Sequence, residues 1–184
     1  MKKEEIEIFI LFLLFKTLIM KKIFSILLLV TVSLIQAQAY KGKGDYKFQI
    51  GANIQNGGSG IQLSSDYGYG ENMSFGLVAS YLLSVDENIL GNKPEFIDRF
   101  DFKARFNANL GNVLKLDSKM DVYPGLNIGP RNFGAHFGFR YFFTDGFGLF
   151  SEASIPLAQY DPDAYGFDKL NNQFVFNIGV SFNL

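Results

Sequence analysis

The amino-acid sequence predicts an all-β fold, a closed eight-stranded antiparallel up-and-down β-barrel. Eight segments alternate between apolar and polar residues, which is the two-residue period of a β-strand with one apolar and one polar face. Two of the connections, 70–72 and 144–146, are short and contain Gly or Asn, as antiparallel hairpins require. The first and last segments are apolar at the same even-numbered positions, so pairing them would close the sheet and remove its exposed edges.

The N-terminal 39 residues are predicted to lie outside this fold. Lys21 and Lys22 precede an apolar run, and Ala37-Gln38-Ala39 follows it, which is the layout of a cleaved secretory signal peptide at residues 20–39. Cleavage after Ala37 or Gln38 remains an alternative to cleavage after Ala39. Residues 1–19 precede a second methionine, Met20, and are interpreted as an over-extended N-terminus.

Residues 40–184 have the length of one domain. The whole chain has 17 Lys and Arg and 18 Asp and Glu, of which five basic and three acidic residues lie in 1–39. Residues 40–184 therefore contain 12 basic and 15 acidic residues, a net charge of −3. This balance gives no reason to expect nucleic acid as a partner. The chain has no Cys, which excludes disulfides and thiolate metal sites, and the sequence predicts no cofactor and no metal.

The eight segments have a common length and register. Most have about the 9–11 residues that a tilted strand needs to cross a bilayer. The two short turns place Tyr69 opposite Met73 and Phe143 opposite Phe147, so one apolar face continues across each hairpin. In chain order the segments are 46–55, 60–69, 73–85, 99–110, 120–129, 133–143, 147–157 and 172–184.

The two faces differ sharply in composition. The apolar face carries no charge and many Phe residues, whereas the polar face consists mostly of Gly, Ser, Asn, Gln and charged residues. The interior of an eight-stranded barrel is just wide enough to be filled by side chains, so that much Phe cannot fit inside. We therefore expect the apolar face to point outward into lipid, as in a transmembrane barrel. The apolar residues that fall on the polar face are Val78, Leu82, Tyr123, Phe142, Phe150 and Val175.

Charged residues on the polar face should meet in the lumen. Buried charges require partners, so we predict a salt-bridged plug, with Arg140 and Glu152 on neighbouring strands as one pair. An ion or proton path gated by switching pairs is the functional alternative. The predicted basic members are Lys47, Arg99, Lys103, Arg105 and Arg140, and the acidic members are Asp66, Asp101, Asp121 and Glu152.

His136 is the only histidine and falls on the polar face. The register places Ser154 opposite it and Glu152 diagonally, which could serve a lipid-modifying enzyme. One His beside one Ser is not a positioned triad, however, and a lumen histidine hydrogen-bonded to its neighbours is the preferred interpretation.

The C-terminal strand carries the motif Asn177-x-Gly179-x-x-Phe182-x-Leu184, and residues 138–150 form a Phe-rich hairpin. Both resemble small Gram-negative outer-membrane β-barrels of the OmpX and OmpA type. In that family the terminal strand is the signal read by the barrel-assembly machinery and usually ends in Phe, so Leu184 is a departure. The resemblance implies a monomer in outer-membrane lipid with both termini in the periplasm.

This orientation places the connections 56–59, 86–98, 130–132 and 158–171 outside and the connections 70–72, 111–119 and 144–146 inside. It also gathers an aromatic girdle near the periplasmic rim, formed by Tyr46, Tyr67, Tyr69, Tyr141, Phe143, Phe147 and Phe182.

The expected function is that of a non-enzymatic outer-membrane barrel, structural or displaying its outer loops for binding or adhesion. The alternatives are a narrow ion channel, a lipid-modifying enzyme and a soluble, lipocalin-like ligand carrier.

Overall fold

The computed structural model describes residues 38–86 and 93–184. The predicted over-extended N-terminus, and the predicted signal peptide up to residue 37, lie outside the described residues. Within the described ranges, no helix has both the length and the apolar composition needed to cross a membrane.

Eight antiparallel strands form one closed barrel in which each strand pairs with its chain neighbours and the last pairs with the first. The prediction of a closed eight-stranded up-and-down barrel is confirmed. A four-residue helix, α1 (Phe96–Arg99), precedes the fourth strand, and a 3₁₀ turn (Gly166–Lys169) precedes the eighth. The strands are β1 (Tyr46–Gln55), β2 (Gly58–Gly70), β3 (Met73–Val85), β4 (Phe100–Ala108), β5 (Met120–Ile128), β6 (Asn132–Phe142), β7 (Phe147–Gln159) and β8 (Val175–Asn183).

The closing pair, β1 and β8, is tightly apposed. Gly51 lies opposite Gly179, and a Cβ added at Gly179 would come within 2.1 Å of the Ile50 carbonyl oxygen. Beyond the end of β8, the Leu184 N–H donates to the Tyr46 carbonyl at 2.9 Å. The terminal strand therefore has a partner along its whole length, as the shared parity of the two segments predicts.

The two predicted hairpin registers have different outcomes. Phe143 does lie opposite Phe147: its N–H donates to the Phe147 carbonyl at 3.0 Å. The predicted pairing of Tyr69 with Met73 is wrong, because Gly70 lies opposite Met73 and the register shifts between Gly68 and Gly70. A β-bulge inserts one residue into one strand, and an alternating sequence pattern cannot detect it.

The assignment of the two faces is confirmed by burial. The six apolar residues that the sequence places on the polar face are all buried inside the barrel: Val78, Leu82, Tyr123, Phe142, Phe150 and Val175. Outward residues such as Phe75 and Phe137 are instead 53% and 57% exposed. The barrel is therefore apolar on its outer surface and polar within.

Aromatic residues cluster on the outer surface at the end of the barrel where the strand termini lie. The ring centroids of Tyr141 and Phe143 are 5.1 Å apart, those of Phe143 and Phe147 are 6.3 Å apart, and those of Phe147 and Phe182 are 5.8 Å apart. Tyr46 lies opposite Tyr67 on the neighbouring strands. These contacts bring together much of the predicted girdle.

Candidate functional site in the barrel lumen

The centre of the lumen is held by Arg105 of β4. Its Nε and Nη2 atoms donate to the two carboxylate oxygens of Asp66 at 2.6 and 2.5 Å, a bidentate arrangement that is strong and geometrically specific. Its Nη1 atom donates to Glu152 at 2.8 Å. Gln49 and Ser64 accept two further hydrogen bonds at 3.0 Å. One cation thus ties together side chains from four strands.

Arg140 of β6 extends this network. Its Nη2 atom donates to Asp66 at 3.0 Å, and its Nη1 atom lies 3.8 Å from Asp121. The Tyr123 ring lies beneath the guanidinium, 3.7 Å from the carbon to the ring centroid, which is cation–π geometry. Asp121 in turn accepts from the Gly111 N–H at 3.1 Å and anchors the 111–119 connection.

The predicted Arg140–Glu152 pair is wrong. Arg140 lies opposite Phe150 on β7, and its guanidinium reaches Asp66 and Asp121, while Glu152 reaches across to Arg105. An eight-stranded barrel is narrow enough for long side chains to cross it. Partners inside it therefore need not lie on adjacent strands.

Small residues on the polar face make room for the large ones. Gly138 lies opposite Tyr123, and a Cβ added at Gly138 would come within 2.0 Å of the Tyr123 ring. The same relation holds between Gly76 and Asp66, whose carboxylate oxygen would lie 2.1 Å from such a Cβ. The lumen is therefore filled in cross-section. Tyr123 and Asp66 occupy the space that a side chain at Gly138 or Gly76 would need.

A second ion pair lies near the end of the barrel that carries the termini. The Lys47 ammonium pairs with Asp45 and donates to Asn183 Oδ1 at 2.9 Å. It lies 5.4 Å from the Phe142 ring centroid. Sequence reasoning missed Asp45 because the residue precedes the predicted strand. Its odd number continues the parity of the polar face, and that signal could have identified it.

The charges at the opposite end of the lumen are more accessible. Lys103 pairs with Asp101 at 3.4 Å. The prediction that Arg99 belongs to the lumen network is wrong: Arg99 ends α1, is partly exposed and donates to the Leu83 carbonyl at 3.3 Å. Four basic residues therefore meet five acidic ones. These are Lys47, Lys103, Arg105 and Arg140 against Asp45, Asp66, Asp101, Asp121 and Glu152.

A small cavity remains between these charges and the lumen centre. It has a volume of about 30 Å³ and is lined by Asp101, Lys103, His136 and Glu152 among other polar residues. That volume accommodates one or two water molecules. It is too small for a lipid or a metabolite.

His136 is buried and held by two amides. Its Nε2 atom lies 2.7 Å from Asn107 Oδ1, and its Nδ1 atom lies 3.4 Å from the Asn127 amide nitrogen, which assigns a neutral ring that donates from Nε2. Ser154 does lie opposite His136 on β7, as predicted. Because both ring nitrogens are engaged, this histidine is not placed to activate the serine. In the described part of the chain, no three His, Cys, Asp or Glu residues cluster as metal ligands would.

The end of the lumen opposite the chain termini is closed by the segment that leads into β8. Leu170 and Asn171 are buried, and Asn171 has a left-handed backbone with φ of 60°, a conformation that Asn tolerates. Gln55 accepts from the Asn171 N–H at 2.7 Å and donates to its side-chain oxygen at 2.9 Å. Asn132 donates to the Asn171 carbonyl at 3.0 Å. We call residues 170–173 the latch.

The residues of the predicted assembly signal have defined positions. Asn177 is buried in the lumen, Gly179 packs against Gly51, Phe182 contacts Phe147, and Leu184 is exposed at the end of the chain. These positions describe structural roles, and recognition by an assembly machinery stays a prediction.

Comparisons with known proteins give one family and several similar structures. The family described as "Family of unknown function (DUF6646)" matches residues 30–184. No curated protein matches the sequence. A de novo designed transmembrane β-barrel is similar in structure, with a TM-score of 0.52 and 7% identity over 78% of this chain and 98% of that one.

The crystal structure of the outer membrane protein OprG from Pseudomonas aeruginosa is also similar, with a TM-score of 0.48 and 13% identity over 82% of this chain and 99% of that one. At 7% identity, the likeness to the designed barrel concerns the fold alone.

Proposed function

The chain belongs to DUF6646, a family of unknown function, and we propose that it is an outer-membrane β-barrel protein with a closed, ion-paired lumen. In this proposal the barrel is a non-enzymatic, monomeric scaffold in outer-membrane lipid. Its role is structural, or it binds through the connections at the end of the barrel opposite the termini.

The observation that carries the proposal is that the barrel is apolar outside and polar inside, the reverse of a water-soluble protein. Aromatic and aliphatic side chains such as Phe75, Leu77 and Phe137 are exposed around the barrel, while Arg105 and Arg140 are buried at its centre. Water-soluble proteins rarely expose an apolar surface of this extent, and a bilayer is the solvent that covers it. A lipocalin-like carrier would need the opposite arrangement.

Export supports the same location. The predicted signal peptide would take the chain out of the cytoplasm, and the terminal strand resembles the assembly signal of OmpX-type and OmpA-type barrels. With both termini in the periplasm, the aromatic girdle would lie at the periplasmic interface, where Tyr and Phe rings anchor membrane proteins.

The filled lumen argues against a channel. Tyr123, Arg140, Phe142 and Phe150 are all fully or almost fully buried in the barrel interior. None of these four residues lines the small cavity beside Lys103. A lipid-modifying enzyme is equally disfavoured, because amides engage both ring nitrogens of His136.

The connections at the end of the barrel opposite the termini are the surface that this proposal assigns to binding. Tyr165 is 80% exposed in the segment between β7 and β8, and Tyr160 is also exposed. Phe96 and Ile97 of α1 are exposed on the same end. Exposed aromatic residues of this kind are common at protein interfaces.

Single-cysteine labelling tests both location and orientation, since the natural chain has no Cys. Tyr165→Cys lies in a predicted outer connection, and Glu71→Cys, also exposed, lies in a predicted periplasmic turn. A membrane-impermeant maleimide should label Tyr165→Cys in intact cells and label Glu71→Cys only after lysis. The protein should fractionate with the outer membrane and require detergent for extraction. Recovery in a soluble fraction, or reversed labelling, would contradict the proposal.

A further inference from the structure

The segment that precedes β1 folds back across the end of the lumen. The Ala39 N–H donates to the Ser118 carbonyl at 2.7 Å, and the Ala39 side chain packs against Phe142 with 0% exposure. Ser118 lies in the connection between β4 and β5. Ala39 is therefore an interior residue, joined to a connection and a strand that are distant from it in sequence.

Tyr40 continues this closure. Its hydroxyl lies 2.9 Å from the Gly70 carbonyl and 2.6 Å from the Met73 carbonyl, at the turn between β2 and β3. Burial, reinforced by the nearby Asp45 and Asp121, raises the pKa of Tyr40 to about 12, so the hydroxyl keeps the proton that it donates.

The remaining residues tie the segment to β2. The Gly44 N–H donates to the Gly68 carbonyl at 2.8 Å, and the Gly68 N–H donates to the Asp45 carbonyl at 2.7 Å. A Cβ added at Gly68 would come within 2.1 Å of the Gly42 carbonyl oxygen, so the two backbones are in direct contact. We call residues 39–45 the stopper, because they cover the lumen at the end that carries the chain termini, next to Lys47 and Phe142.

We infer that the stopper is a permanent part of the mature barrel and that the signal peptide is removed by hydrolysis of the Ala37–Gln38 peptide bond, not after Ala39. This inference rests on the proposed export. Hydrolysis consumes one water molecule and leaves a carboxylate on Ala37 and an amino group on Gln38. Ala37 is the small residue immediately before this cut, and Ile35 takes the place of the other small residue of the A-x-A pattern.

Cleavage after Ala39 would damage the closed structure in two ways. It would remove the donor to the Ser118 carbonyl together with the methyl group that covers Phe142. It would also place a charged amino group on Tyr40, a residue that is only 5% exposed, and burying a charge is unfavourable. Gln38 is only partly buried, so a new terminus at that residue can reach water.

Matched substitutions in the full chain distinguish the two sites. Ala37→Leu places a large residue immediately before the proposed cut and should cause loss of processing, with the precursor accumulating. Ala39→Leu lies two residues after the cut and should be processed like the natural chain. The intact mass of the membrane-extracted protein should correspond to a chain that starts at Gln38, or to that mass less one ammonia where the N-terminal glutamine has cyclised. N-terminal sequencing should read Gln38 from the uncyclised fraction.

The processed Ala39→Leu protein tests the stopper itself. Leu is too large for the buried site beside Phe142, so this variant should unfold at a lower urea concentration than the matched variant Gln38→Leu. Equal urea midpoints would overturn the stopper.

The N-terminal residue separates failure of this inference from failure of the proposed function. A natural protein that starts at Tyr40, with processing blocked by Ala39→Leu, would overturn the inference and leave the outer-membrane proposal standing. A start at Ala39 would overturn the assignment of the cut to the Ala37–Gln38 bond. A membrane protein that retains residues 20–37 would show that the signal peptide is not cleaved and would overturn the inference with it.

Discussion

Arg105 and Asp66 face each other at the centre of the barrel and share two parallel hydrogen bonds, at 2.6 and 2.5 Å. Asp66 also accepts a hydrogen bond from Arg140 at 3.0 Å, so one carboxylate is shared between two guanidinium groups. Glu152 supplies the second negative charge to Arg105. Asp66 is consequently the acidic residue on which the lumen network depends most.

The first prediction ranks the two acidic partners of Arg105. Asp66→Ala leaves Arg105 without its bidentate partner and removes the hydrogen bond to Arg140, and breaking such a buried pair costs about 3–5 kcal/mol. Glu152→Ala should cost less, because Arg105 keeps Asp66. Urea unfolding of the barrel in liposomes measures both free energies of unfolding.

Asp66→Asn is the control for this ranking, since it preserves the shape of the side chain and removes its charge. We expect its stability to fall between those of the natural protein and Asp66→Ala. Greater destabilisation by Glu152→Ala than by Asp66→Ala would show that the network is centred elsewhere.

The second prediction concerns Gly138. Ala at this position would place its Cβ within 2.0 Å of the Tyr123 ring, which is held against Arg140, so Gly138→Ala should cost about 1–3 kcal/mol through overpacking. Adding Gly138→Ala to a Tyr123→Leu protein should cost much less, because the ring is gone. A double-mutant cycle on the free energy of unfolding measures the difference, and additive effects would contradict the filled lumen.

The third prediction tests the lipid-facing surface. Ala104 is exposed in the middle of β4, and Ala104→Arg should destabilise the barrel in liposomes by about 2–4 kcal/mol, the penalty for Arg at a bilayer midplane. Ala104→Leu at the same site should be tolerated. If the Arg variant is as stable as the Leu variant, Ala104 does not face the bilayer core.

The fourth prediction concerns the latch. Gln55→Leu removes the acceptor for the Asn171 N–H and the donor to its side chain, so the segment between β7 and β8 should open more often and be cleaved faster by protease. Asn56→Ala is the matched control, because Asn56 contacts Gln173 through its backbone carbonyl, which the substitution keeps. Equal cleavage rates for the two variants would contradict a role for Gln55 in holding the latch.

The sequence predicted the barrel well because alternation is a local signal. Each strand shows its two faces in its own residues, and even Val78 and Phe150, apolar residues on the polar face, were assigned to the interior where the structure places them. The bulge at Tyr69 was missed because it changes the register without changing the composition of either strand.

The lumen contacts were less predictable because they depend on three-dimensional distance. The sequence identified Arg140 and Glu152 as lumen residues but paired them with each other across neighbouring strands. In the structure Arg140 reaches Asp66 and Glu152 reaches Arg105, each on a strand that is not adjacent. Asn171 was missed because it lies outside the regular alternation, and Asp45 because it precedes the first predicted strand, although its parity continues the polar face. Their roles arise only when a terminal segment and a connection fold over the ends of the closed barrel.

Planar-bilayer recording of the purified natural protein tests the central claim most directly. A lumen filled by Tyr123, Arg140, Phe142 and Phe150, and covered by the stopper and the latch, predicts that the inserted protein shows no steady conductance. Insertion should be confirmed in parallel by protease protection, so that a silent bilayer reports a closed barrel. A stable, salt-dependent conductance of the size that a porin gives would contradict the closed lumen and identify the protein as a channel.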